Sequence, residues 1–72
     1  MATFEIGQTY MTSSFGDHTQ IHRITVVSRT VKTVTLSGYI EGRRKIYEYD
    51  GDECVRAGNY RLAPIFCASE VA

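Results

Sequence analysis

The stretch Val26–Leu36, VVSRTVKTVTL, decides how this chain folds. Two runs rich in β-branched residues flank a polar centre, Arg29-Thr30-Val31-Lys32, that contains no Gly, Asn, Asp or Pro. β-Branched side chains suit a pleated, half-buried surface. The stretch therefore reads as a hairpin, with strands over about Gln20–Ser28 and Thr33–Tyr39. A two-residue type I′ turn at Thr30-Val31 would force positive φ on β-branched residues. A four-residue loop from Arg29 to Lys32, built on a type I turn, avoids this. It pairs Ser28 with Thr33, Val27 with Val34 and Thr25 with Leu36. One face then carries Ile21, Thr25, Val27, Val34, Leu36 and Ile40, and is the expected core. The other carries His22, Ser28, Thr33, Thr35 and Ser37 with Ile24, Val26 and Tyr39. Arg23 falls on the core face opposite Gly38, which calls for a rim position or a bulge. Arg29 and Lys32 mark the loop tip.

Outward from the hairpin, turn signals recur at short intervals: SSFGD (Ser13–Asp17), EG (Glu41–Gly42), DGD (Asp50–Asp52) and AGN (Ala57–Asn59). No window keeps apolar residues at helical spacing for ten residues. Short strands between regular turns indicate an all-β sandwich or barrel. At 72 residues the expectation is one domain spanning 1–72, a small antiparallel barrel or strongly bent sheet of about five strands, because closure removes open edges. The first strand is expected over Thr3–Met11, with Gly7 as a bulge or bend. A fourth is expected over Arg43–Tyr49 and a short fifth near Tyr60–Ala63. Pro64 ends a strand or lies on an edge, Ile65, Phe66 and Cys67 close over the barrel end, and Ala68–Ala72 frays. A two-residue turn at Glu41-Gly42 pairs Leu36 with Tyr47. A three-residue loop pairs it with Ile46. Burial favours the first and turn chemistry the second. The core is drawn from Phe4, Ile6, Tyr10, Val27, Val34, Leu36, Tyr47 and Ile65.

A domain this small buries only about 60% of its unfolded surface and has little room for a catalytic cleft beside a core. No run approaches the ~20 apolar residues of a membrane span, and the first residues, MATFEIGQTY, lack the basic-then-apolar order of a signal peptide. A cytoplasmic location is expected. Two cysteines, Cys54 and Cys67, fit two reduced, partly buried thiols better than a disulfide framework. Formal net charge is zero, yet Arg23, Arg29, Lys32, Arg43, Arg44 and Lys45 fill the middle of the chain, and Glu48, Asp50, Asp52 and Glu53 follow. Neutrality argues against a dedicated nucleic-acid binder but not against a basic face.

The pattern FEIGQTY … VVSRTVKTVTL … YRLAP resembles small uncharacterised proteins encoded by bacterial phages and mobile elements. In these a G-x-x-Y start precedes an R-T-x-K-T-V-T-L segment and a closing Y-x-x-x-P. The likeness spans roughly Phe4 to Ala68. It implies an accessory role and carries no catalytic residue. The architecture is also similar to SH3-type small barrels, and fold does not give function.

Chemical constellations are sparse. His18 and His22 have zinc-like spacing, but on a strand four residues span about 13 Å, too far for one ion. His22 reads instead as a strand histidine beside Tyr39. Ser13, Ser14, Asp17 and His18 read as turn chemistry, and Lys32-Thr33 lacks the glycines of a P-loop. Acidic Asp52 and Glu53 disfavour a thiolate at Cys54. The expected protein is not an enzyme and needs no metal or small-molecule cofactor. Its candidate binding surface is Arg29, Lys32, Tyr39, Arg43, Arg44 and Lys45. Cations beside Tyr39, Tyr47 and Tyr49 suit single-stranded nucleic acid. A strand edge beside Tyr60-Arg61-Leu62, or an exposed aromatic patch, suits an extended protein segment or a second copy of the chain. Protein is the first expectation, and nucleic acid the alternative.

Overall fold

The computed structural model describes residues 2–14, 17–58 and 63–72, and only the backbone of Ser14 and of residues 17–19. All regular structure among them is β: β1 (Thr9–Ser14), β2 (Asp17–Arg29), β3 (Thr33–Gly38), β4 (Gly42–Lys45), β5 (Tyr47–Tyr49), β6 (Asp52–Arg56) and β7 (Ile65–Cys67). They form two antiparallel sheets, ordered β1-β2-β3-β4 and β5-β6-β7.

Val26–Leu36 is the β2–β3 hairpin, with its loop moved by one residue and its pairing shifted by two residues beside the loop and by one beyond Val27. Arg29 lies opposite Val34 and Ser28 opposite Thr35, so the four-residue loop is Thr30–Thr33. Thr30 builds it. Its Oγ1 accepts from the amides of Lys32 (3.3 Å) and Thr33 (3.1 Å) and meets Thr33 Oγ1 at 2.8 Å. Local bonding of this kind lets a threonine replace the usual turn residues. Val26 lies opposite Leu36, which leaves Val27 as the extra residue of a β-bulge. Val26 points inward at 0% exposure and Val27 outward at 55%. The core face of β2 is therefore Ile24 and Val26 rather than Ile21, Thr25 and Val27. Arg23, awkward on the expected core face, is exposed and lies opposite Met11. The bulge also reverses the alternation, so that Ser28 faces out and Arg29 faces in.

Neither expected β3–β4 register occurs. Leu36 pairs with Gly42 and Val34 with Arg44. The expected strand Arg43–Tyr49 breaks at Ile46 into β4 and β5, which belong to different sheets. Ile46 packs against the core, and its amide donates to Lys32 O at 2.8 Å. This inward step bends the chain from one sheet into the other. Asp50 and Gly51 have φ of 55° and 81°, the paired positive values of a type I′ turn, and fold β5 onto β6. Of the expected fifth strand, residues 60–62 lie outside the described residues, and Ala63 is in no strand.

Both sheets contribute to one core: Phe4, Tyr10, Ile24, Val26, Val34, Leu36, Ile40, Val55, Phe66 and Ala68. Phe4 and Tyr10 meet edge to face, with ring centroids 4.9 Å apart. Ile6, Val27, Tyr47 and Ile65, expected in this core, are exposed. Ile6 stands in a turn with Gly7, because the first strand begins only at Thr9. Ile65 and Tyr47 lie on the outer face of the second sheet, in rows parallel to inward Phe66 and Val55.

The C-terminal residues, expected to fray, add to β1. Met11 N donates to Glu70 O and Ala72 N to Thr9 O, both at 3.0 Å, and Tyr10 bridges Val71. Cys54 and Cys67, expected as free thiols, are directly opposed on β6 and β7, with Cα atoms 4.1 Å apart, and form a disulfide. That spacing is well inside the ~7 Å limit for a bridge. Among the described residues the strands form two sheets and no closed barrel. The sheets run from β4 through β3, β2 and β1 to the C-terminal residues, and from β7 through β6 to β5. No described backbone group pairs with the outer edge of β4 or β5 beyond the amide of Ile46. Among the described residues these two edges, consecutive along the chain and here termed the seam, carry no further strand.

Candidate binding surface

Arg29 is not displayed at a loop tip. Turned inward by the bulge, it forms a two-pronged pair with Glu53 of β6: Nη1 donates to Oε1 at 2.7 Å and Nη2 to Oε2 at 3.0 Å. Nη1 also donates to Phe4 O at 2.7 Å, and Nε to Thr30 O at 3.1 Å. Glu53 Oε1 in turn accepts from the Phe4 amide at 2.8 Å. The hydrogen bond from Arg29 holds the Glu53 carboxyl below its ordinary value of 4.5; burial opposes this, and the Phe4 amide reinforces it. The same bond raises the Arg29 guanidinium. Arg29 is thus committed to joining the two sheets. Nothing in the sequence marked Glu53 as its partner except its place beside the buried Cys54 and Val55.

Tyr39 is also apart from the basic run. It follows the end of β3, stacks on His22 with centroids 3.9 Å apart, and lies 6.2 Å from the Phe66 ring. This is the strand histidine beside Tyr39 that the sequence suggested. Lys32 is exposed in the loop, and its carbonyl accepts from Ile46.

Arg43, Arg44 and Lys45 do come together. All three lie on β4, the edge of the larger sheet. Arg43 and Lys45 stand on its outer face opposite Thr35 and Thr33, and Arg44 lies at the rim of the inner face opposite Val34. With Tyr47, Arg56 and Gly58 they line a recess of about 320 Å³ that contains no carboxylate. Lys45 Nζ sits 5.6 Å from the Tyr47 ring centroid, a cation–π contact. Arg44 Nη1 donates to Arg43 O at 3.0 Å. Neither Glu48 nor Asp50 lines this recess.

A second recess, of about 390 Å³, continues across the outer face of the smaller sheet. It is lined by Tyr47, Glu48, Tyr49, Cys54, Arg56 and Ile65. Tyr47, Tyr49 and Ile65 are 47%, 71% and 45% exposed. The Cys54–Cys67 bridge forms its floor, since Tyr47, Cys54 and Cys67 occupy one cross-strand row. Tyr49, Arg56 and Ile65 were not in the expected site. Their signal was available only as aromatic alternation in Tyr47–Tyr49, because the β6 and β7 residues depend on a register that the sequence leaves open.

Cys54 and Cys67 are bonded to one another and offer no thiolate. His18 lies outside the described side chains. No protein-family model, curated protein or solved structure matches this chain.

Proposed function

We propose that this chain is a non-catalytic binding module that takes an extended protein segment along β5, with the segment's apolar side chains on the Tyr47–Tyr49–Ile65 face. We further propose that it is a cytoplasmic accessory protein of the phage or mobile-element kind, which its sequence resemblance supports, with an SH3-like architecture, which its short antiparallel strands support. The observation that carries the reading is the coincidence, on β5, of an edge that no strand covers among the described residues and a contiguous aromatic and aliphatic face. Edge addition draws affinity from main-chain hydrogen bonds and specificity from alternate side chains. Tyrosine and arginine are favoured at binding hot spots.

A second copy of the chain is the weaker partner. Antiparallel pairing of two β5 edges centres on Glu48 opposite Glu48, and like charges directly opposite are destabilising. Pairing of two β4 edges sets Arg43, Arg44 and Lys45 against themselves. These charges guard the seam against self-association and favour a partner that brings carboxylates of its own. The test is capture from nuclease-treated lysate by the wild type and by a Tyr49→Ser/Ile65→Ser variant with unchanged melting. A protein held by the first and lost by the second supports the reading. Equal capture by both contradicts it.

A further inference from the structure

We infer that the recess at the β4 end of the seam binds single-stranded nucleic acid, sharing Tyr47 and Tyr49 with the face described above. Three side chains on consecutive positions of an edge strand, Arg43, Arg44 and Lys45, meet Arg56 from the other sheet around a cavity without carboxylates. Arg43 and Lys45 share one face of β4, about 7 Å apart along the strand, a step comparable to that between successive phosphates of an extended strand. Guanidinium groups match phosphate oxygens in a planar, two-pronged way that a lysine cannot. Tyr47 stands at the mouth of the recess with Lys45 beside its ring, and Tyr49 follows two residues on, on the same outer face. A row of cations beside a row of exposed rings is the arrangement that holds a single strand, phosphates on one side and bases stacked on the other.

The outer face of the larger sheet extends this polarity. Its strand positions carry Arg23, Arg43 and Lys45 among Thr9, Ser13, Thr25, Ser28, Thr33, Thr35 and Ser37. The described side chains of that face include no carboxylate. Glu48, Asp52 and Glu53 lie on the smaller sheet with Asp50 in its β5–β6 turn, and Asp52 and Glu70 line a recess with Met11, Ser13 and Ile21 at the β1 end, across the sheet from β4. Neutral total charge thus conceals a basic side from which a polyanion is not repelled. A single strand brings phosphates for the cations and bases for the rings in one repeating unit.

Fluorescence anisotropy with a labelled thymidine oligonucleotide, at low and moderate salt, tests the site on the full chain. The expected result is binding whose logarithmic salt slope is about −2 to −3, for three to four phosphate contacts at roughly −0.7 each. Arg43→Ala/Arg44→Ala weakens it by about tenfold or more and flattens that slope. Tyr47→Leu weakens it while leaving the slope unchanged, a signature that general loss of charge does not give. Matched melting curves establish that each variant is folded. Absence of binding at low salt overturns the proposal. So does equal binding of polyglutamate or of duplex, or wild-type affinity in the double-arginine variant. Capture from nuclease-treated lysate reads the protein segment and anisotropy with a purified oligonucleotide reads this site, so the two fail separately.

Discussion

Five hydrogen bonds converge on the side chains of Arg29 and Glu53, and they tie together the segment before β1, strand β2 and strand β6. Both side chains are largely shielded, at 21% and 11% exposure. Removing one partner strands the other charge, and Glu53→Ala also orphans the Phe4 amide. Its expected cost is on the order of 2–4 kcal/mol in chemical denaturation, somewhat below the roughly 3–5 kcal/mol for breaking a fully buried pair because both side chains keep some exposure. The pair also fixes an acid limit. Because the folded carboxyl of Glu53 titrates below its ordinary value of 4.5, its contribution is complete above that value. It is lost as pH falls through the folded value. Glu53→Gln is expected to be less stable than wild type at neutral pH, and the gap narrows in acid; a constant gap would show that the carboxylate charge is not involved. Gly38 is the second sensitive residue. Its φ is +113°, and a Cβ there would lie 2.8 Å from the carbonyl oxygen of Arg23. Gly38→Ala is expected to destabilise by about 1–3 kcal/mol through backbone strain, read from its denaturation midpoint.

At the scale of elements, the β2–β3 hairpin was legible in the sequence and its register was not. Alternation identified Val34 and Leu36 as core on β3. On β2 it met two adjacent valines, and either one can lead the inward face. The symmetrical loop chose Val27, and the bulge chose Val26. The misfit of Arg23 on the chosen face was the sequence's own warning of the slip. Val26→Ala is accordingly expected to cost about 1–3 kcal/mol, with Val27→Ala near neutral; the reverse order would restore the rejected register. The break at Ile46 was not legible, since strand β4 to β5 reads as one alternating run until its apolar centre is seen turned inward. The DGD turn was legible because Asp50 and Gly51 have the chemistry that a type I′ turn requires. Strands β6 and β7 gain a covalent tie from the disulfide. A bridge closing a loop of 13 residues constrains the unfolded chain by about 3 kcal/mol. Thermal unfolding with and without reductant is expected to show that loss, and identical curves would mean that the thiols are free. In a reducing cytoplasm the tie is removed, and the hydrogen-bonded ladder of β6 and β7 alone must hold them in place.

For the whole molecule, the all-β class and the segregation of charge could be read directly from the chain. Turn spacing gave the first, and the order of charged residues gave the second. The open seam could not, because it depends on which strand carries each edge. That dependence also divided the expected surface. Arg43, Arg44 and Lys45 stay together because they are neighbours on one strand, while the bulge removes Arg29 to the interior and the end of β3 carries Tyr39 to His22. The central claim is that partners meet the protein at the β4–β5 seam. The most direct measurement places a photo-crosslinking phenylalanine analogue at Tyr49, and in a second protein at Ile21 on the outer face of the larger sheet. Both are irradiated in nuclease-treated lysate. A discrete protein adduct from position 49, absent from position 21, is the predicted result. No adduct at 49, or the same adduct at both positions, would contradict the claim.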